Sequence, residues 1–275
     1  MCDISGRIYC IDVGNTRTHC ALVEFSGPFK GGRAGLENFR VEDSRNYLSG
    51  QFSEIFCSQD LARRAGADSI AWCSVVPRYW RDISRAIEDC GLESMQLTPS
   101  NSPMKIDMED PMGVGQDRLA AALGASLMFG APYIVVDMGT AVTIDLVDAN
   151  GAYAGGAIAP GMHAFAEYLS ERAAQLPKIN PAEADYSLSV GKNTVEAMYV
   201  GCAKGFCKLA DGIISDIERD FFGGKSAADK TVFTGGSVEL LPKNWLAERK
   251  IEYNLVHLGL AYSFVLNKKL ETDAK

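Results

Sequence analysis

Apolar, mostly β-branched residues run through Ile134-Val135-Val136, halt at Asp137-Met138-Gly139-Thr140, and resume in alternation from Ala141 to Leu146. This pattern predicts a buried strand, a tight turn and a returning strand. It occurs once before, where Ile8-Tyr9-Cys10-Ile11 leads into Asp12-Val13-Gly14-Asn15-Thr16-Arg17-Thr18. Setting Asp12 on Asp137 also sets Gly14 on Gly139 and Thr18 on Thr143, an offset of 125 residues. Each copy continues as an apolar strand into a glycine turn, Ser26-Gly27 and Asn150-Gly151. A single Asp-x-Gly turn is common in hairpins. Two of them, each after a buried strand, predict a duplicated domain.

Between and after the two hairpins the pattern alternates strands with helices. From Val41 it reads as helical, with Asp43 or Ser44 as the cap and Tyr47 and Leu48 on the apolar face. Asp60 to Ala67 reads as a short helix. Ser69 to Val76 reads as a buried strand stopped by Pro77, Tyr79 to Cys90 as a helix, and Met95 to Leu97 as a short strand. Leu119 to Ala125 is a strong, small-sided helix suited to close packing. Gly155 to Gly161 reads as a rigid small-residue loop feeding a helix from Met162 to Ala174, and polar Pro177 to Leu188 as a mobile loop. Asn193 or Thr194 caps a helix from Val195 towards Ile217. Thr231 to Thr234 is a strand ending in Gly235-Gly236, and Tyr253 to Leu266 is a buried closing helix before a polar tail from Glu271. Pro28 to Gly35 reads as a turn-rich surface connection. Strand–helix alternation of this kind predicts an α/β fold with mixed sheets.

Composition narrows the function classes. The chain has 275 residues, 47% apolar and 23% charged, enough for one large or two medium domains with a substantial core. A net charge of −8 without a basic cluster argues against a nucleic-acid partner. No apolar run approaches the roughly 18 residues that span a bilayer, and Met1 to Arg7 lacks a signal peptide's basic and apolar regions. The eight cysteines form no Cys-x-x-Cys pair, and with three scattered histidines there is no zinc spacing. Reduced thiols in a cytoplasmic protein are the expectation. Gly224-Lys225-Ser226 ends like a Walker A loop, but Arg219 stands where its first glycine belongs. No Gly-x-Gly-x-x-Gly follows a strand either.

The two turns themselves carry chemistry. Gly139 lets a phosphate approach bare backbone, Thr140 offers an N–H and an O–H to its oxygens, and Asp137 can hold a neutralising cation. A second centre is Gly115-Gln116-Asp117-Arg118, at the start of the alanine-rich helix. An acid in a first turn is favoured by the helix dipole alone, and the same field keeps it ionised as a base for a hydroxyl proton. Arg118 is harder to explain structurally, because the dipole favours cations at the other end.

Asp12-Val13-Gly14-Asn15-Thr16, Gly115-Gln116-Asp117-Arg118, Asp137-Met138-Gly139-Thr140-Ala141 and Gly155-Gly156-Ala157-Ile158-Ala159-Pro160-Gly161 together resemble the type III pantothenate kinases in order and spacing. Cys73-Ser74-Val75-Val76-Pro77 and Gly191-Lys192-Asn193-Thr194 fit the same pattern, which extends over nearly the whole chain. The resemblance implies two duplicated ribonuclease-H-like domains of the actin-like ATPase superfamily, residues 1–112 and 113–275, with a nucleotide cleft between them. It implies a homodimer that phosphorylates pantothenate to 4′-phosphopantothenate in coenzyme A synthesis, using ATP, Mg²⁺ and a monovalent cation, K⁺ or NH₄⁺. Asp117 is implied as proton acceptor. Asp12, Val13, Gly14, Asn15, Thr16, Arg17, Thr18, His19 and Thr140 are implied as ATP contacts, with Asp12 near Mg²⁺ and Asp137 on the monovalent cation. Gly115, Gln116, Asp117, Arg118 and Thr194 are implied as pantothenate contacts, and Gly235-Gly236 as lying towards adenosine. Met108 stands where many relatives carry a tyrosine. The alternative is a non-catalytic accessory protein of the same fold, against which the intact Asp12, Asp117 and Asp137 argue.

Overall fold

In the computed structural model, which describes residues 3–28 and 35–273, the chain divides into two units. One takes Met1–Gly130, Gly151–Tyr153 and Asn254–Lys275, and the other takes Ala131–Asn150 and Ala154–Tyr253. Most of the turn-rich stretch expected before Gly35 lies outside the described residues, as does the very end of the polar tail.

In the first unit, β1 (Asp3–Val13) and β2 (Arg17–Pro28) form the first predicted hairpin, with Asp12 opposite His19. Next come β3 (Phe39–Leu48), α1 (Phe52–Gln59), α2 (Leu61–Arg64), β4 (Ser69–Ser74), α3 (Pro77–Cys90) and β5 (Glu93–Gln96). The sheet order is β3-β2-β1-β4-β5, with β4 parallel to β1 and β5 parallel to β4. β1 is central and apolar because both its faces are covered. Alternation sends Tyr9, Ile11 and Val13 to a core with Phe52, Phe56, Ile83 and Ile87. Ile8, Cys10 and Asp12 therefore share the opposite face. There the C-terminal helix, Leu255–Asp273, packs against β1, β2 and β4, and α4 (Gln116–Ser126) packs against β4.

Two expectations change here. Val41 to Leu48 is strand rather than helix, because the segment pairs along β2, where Tyr47 sits opposite Thr18 and packs on Phe52 at 5.7 Å between ring centroids. As the sheet's edge, β3 exposes most of its side chains on both faces, which erases the period-two signal. The first unit also continues past the expected boundary at 112/113. α4 packs on the C-terminal helix so closely that a Cβ on Gly259 would drive into the Ala120 carbonyl oxygen, and one on Gly124 into that of Leu255. Both helices therefore belong to the first unit.

The second unit repeats the plan. β6 (Tyr133–Met138) and β7 (Ala141–Val147) form the second hairpin with Asp137 opposite Thr143. They are followed by β8 (Tyr153–Pro160), α5 (Met162–Arg172), α6 (Thr194–Tyr199), a π-turn at Val200–Lys204 and α7 (Gly205–Phe221). β9 (Thr231–Thr234), α8 (Lys243–Leu246) and β10 (Lys250–Ile251) complete the unit. The order β10-β9-β6-β7-β8, with β9 parallel to β6, reproduces the connectivity of the first sheet. The expected loop at Gly155 to Gly161 is mostly β8. Its small residues serve close approach to β7, since a Cβ on Gly156 would meet the Ile144 carbonyl and, at 2.7 Å, Asp145 Oδ1. Among the described residues, no helix is long and apolar enough to cross a membrane.

His257 on the C-terminal helix is buried, and neither ring nitrogen has a hydrogen-bond partner among the described residues. Burial lowers its pKa from 6.5 to about 4, only partly offset by the His19 backbone nearby. Between these values the unfolded chain binds more protons than the folded protein. Stability at this site is therefore complete above pH 6.5 and declines as pH falls, by up to about 3 kcal/mol. A His257→Leu variant should show a flatter fall of Tm between pH 6.5 and 4.5. An unchanged slope would show that the acid sensitivity arises elsewhere.

Candidate active site

Asp12 occupies the next-to-last position of β1, opposite Cys73 on β4, whose Sγ lies 3.4 Å from Asp12 Oδ1. Burial raises the carboxyl's pKa to about 7, the charge of Asp117 adds to the rise, and the Cys73 thiol works against it. Two acids near enough to raise a pKa between them hold their charge best with a cation beside them. Just beyond, the Gly14 N–H donates to the Arg17 carbonyl at 3.0 Å, and a Cβ on Gly14 would meet that oxygen at 2.9 Å. Glycine is what this tightness demands.

The loop's side chains divide into two groups. Asn15, Thr16 and Arg17 are exposed, whereas Val13 and Thr18 are fully buried. The Thr18 hydroxyl donates to Ser49 Oγ at 3.0 Å, and Ser49 donates to the Gly14 carbonyl at 2.7 Å. Thr18 therefore braces the turn from inside, with its hydroxyl proton committed to Ser49. Arg78 on α3 clamps the turn from outside, donating to the Asn15 carbonyl at 3.3 Å. Ser49 and Arg78 carry no local sequence signal, since each meets the loop across more than thirty residues.

At the start of α4, Gly115 is the N-cap and supplies no capping side chain. Asp117 lies in the first turn, and its Oδ1 accepts from the Arg118 N–H at 2.8 Å. A Cβ on Gly115 would stand 2.6 Å from that oxygen, so glycine leaves the carboxylate its space. The Gln116 Oε1 accepts from the Ser74 N–H at 2.9 Å and from Gln96 Nε2 at 3.1 Å. The Arg118 guanidinium lies 5.7 Å from the centre of the Tyr153 ring. Asp12, Cys73, Gln116 and Asp117 are thus brought together within the first unit.

In the second unit Asp137 has the place that Asp12 has in the first, next to last on β6, opposite Thr234 of β9. The Gly139 N–H donates to the Ala141 carbonyl at 2.9 Å, and Thr140 is exposed at the tip. Small residues back this turn. Gly161 N–H donates to the Thr140 carbonyl at 3.0 Å. Gly235, at φ +93°, lies so close that a Cβ there would meet Asp137 Oδ1 at 2.5 Å. Glycine at 235 is what this tight packing demands, whereas a Cβ on Gly236 would meet nothing within 4 Å. Thr194 opens α6 behind the Asn193 cap, whose Oδ1 accepts from the Glu196 N–H at 2.9 Å. Among the described residues, no hydrogen bond ties Thr194 to the Asp137 turn.

No group of three or more His, Cys, Asp or Glu among the described residues is placed to hold a metal. Mg²⁺ does not require such a cage, because it binds through one or two carboxylates together with substrate phosphates and water. The hard oxygens of Asp12, with their raised proton affinity, fit that use.

The family described as "Type III pantothenate kinase" matches residues 8–216. The chain belongs to the type III pantothenate kinase family. A type III pantothenate kinase from Streptomyces avermitilis is 35% identical over 266 residues, covering 92% of this chain and 96% of the relative. One from Thermus thermophilus is 34% identical, covering 85% and 89%, and one from Listeria monocytogenes 31%, covering 95% and 98%. Among solved structures, a protein from Campylobacter jejuni described as a Baf family transcriptional activator aligns with a TM-score of 0.61 at 20% identity, over 95% and 99% of the two chains. An activator of 2-hydroxyisocaproyl-CoA dehydratase from Clostridium difficile, with bound ADPNP, aligns at 0.52 and 12%, over 100% and 98%. These likenesses identify the fold. The repeated sheet order bears out the expected α/β fold of two duplicated ribonuclease-H-like domains.

Proposed function

We propose that this chain transfers the γ-phosphoryl group of ATP to the 4′-hydroxyl of pantothenate, yielding 4′-phosphopantothenate for coenzyme A synthesis. The observation that carries the reading is the Gly115–Arg118 segment held beside Asp12, in a member of this family. Asp117 takes the hydroxyl proton as that oxygen attacks the γ-phosphorus and the bond to the ADP oxygen breaks. Backbone N–H groups of the Gly14 turn, the exposed Asn15, Thr16 and Arg17, the neighbouring His19 and the Thr140 tip orient phosphate oxygens. Val13 and Thr18 contribute through the backbone. Mg²⁺, when bound with the nucleotide, supplies positive charge against the triphosphate, and Asp12 is the residue to hold it. Asp137 is the residue to hold K⁺ or NH₄⁺. Gly115, Gln116, Arg118 and Thr194 receive pantothenate, the guanidinium matching a carboxylate or phosphate oxygen. The working form is a homodimer.

The test is a coupled ADP-release assay with ATP and Mg²⁺, with and without K⁺, across pantothenate, sugars and acetate. Pantothenate-dependent, K⁺-stimulated release is expected. Preference for a sugar, or release that ignores the acceptor, would overturn the assignment.

A further inference from the structure

Gln96, on β5 in the first unit, lies outside every motif read above, yet it forms the centre of a polar chain that reaches Gln116, the residue before Asp117. The chain has a single consistent direction. The Ser74 N–H can only donate, so Gln116 must present its Oε1 there. Gln96 must then turn its Nε2 to that same oxygen, leaving its own Oε1 for the Trp80 indole N–H at 3.2 Å. The backbone of Gln96 is fixed as well. It pairs with Trp72 on β4, and its carbonyl accepts from Asn101 Nδ2 at 2.8 Å. A hollow of about 380 Å³, lined by Val75, Val76, Pro77 and Trp80 among others, adjoins both glutamines. Hydrogen bonds, rather than close packing, therefore hold the two carboxamides in these orientations.

We propose that Gln96 is a positioning residue for Asp117, acting through the Gln116 carboxamide. Helix α4 has no capping side chain at Gly115, so its first turn takes its direction from this lateral anchor. Two separate contacts tie the two acid-bearing segments to consecutive residues of β4. Cys73 meets Asp12, and Ser74 meets the residue before Asp117. Cutting the chain at Gln96 leaves Asp12 in place and loosens only the base, and small misplacements of a catalytic group cost large factors in rate.

The proposal rests on the kinase reading for its kinetic arm and is independent of it for its structural arm. Gln96→Leu should lower kcat about tenfold while KM for ATP and for pantothenate stays within about twofold. Gln96→Glu, nearly the same shape, should lose at least as much, because an acceptor oxygen then stands where Nε2 donated to Gln116 Oε1. Hydrogen exchange over residues 113–121 should speed up about fivefold in Gln96→Leu, with exchange in β1 and β2 unchanged. A merely structural role would lower Tm and raise exchange everywhere without separating kcat from KM. Unchanged exchange at 113–121 overturns the proposal even if the wild-type protein leaves pantothenate untouched. With an active wild type, a Gln96→Leu or Gln96→Glu enzyme with normal kcat overturns it, and so does a rise in KM for ATP matching the loss of kcat.

Discussion

Asp117→Asn should abolish pantothenate-dependent ADP release, by about a thousandfold or more, in a protein that melts no lower than the wild type. The asparagine keeps a carbonyl oxygen to accept from the Arg118 N–H, so the first turn of α4 retains its local bond. It removes a negative charge that now raises the pKa of Asp12. A carboxyl raised to about 7 in the folded protein, against an ordinary 3.8, destabilises the fold increasingly as pH climbs between those values. Relieving the repulsion should therefore leave Tm at pH 7 equal or higher while turnover disappears. Activity that survives the substitution would remove Asp117 from the role of base. Loss of activity together with a fall in Tm would point to a structural role instead.

The second large effect is expected far from any ligand. Gly259→Ala should destabilise the first unit by about 3 kcal/mol in chemical denaturation, the upper range for a group forced into a filled interior. Its methyl would drive into the Ala120 carbonyl, on a helix whose residues Leu119 to Ala125 are all buried and have no room to retreat. The C-terminal helix also covers the face of β1 that carries Asp12, so kcat should fall as well. A variant within about 0.5 kcal/mol of wild type would show that the two helices separate easily.

What could be read in the chain was whatever acts over a few residues. The two Asp-x-Gly turns, the acid in the first turn of α4, the Asn193 cap and the duplication were all visible, because each depends on near neighbours in sequence. β3 was hidden by its edge position, where polar residues on both faces look like the outer face of a helix. β8 was hidden because glycine marks a loop and a close strand crossing alike, and only the Ile144 carbonyl above Gly156 separates the two. Ser49, Arg78 and Gln96 were invisible for another reason. Their side-chain partners stand 16 to 63 positions away, and nothing in a serine, an arginine or a glutamine announces which group it will meet. Thr18, within the first motif, turns its hydroxyl inward to support the loop.

The return of the C-terminal helix to the first unit has a consequence for how the protein is made. Strands β1 to β5 and the helix bearing Asp117 leave the ribosome early, but the element that roofs them is translated only after the whole second unit. The apolar face under that roof must wait more than a hundred residues for its cover, a natural point for a chaperone to act. A chain stopped before that helix would carry every motif and still lack the cover over the face of β1 that bears Asp12.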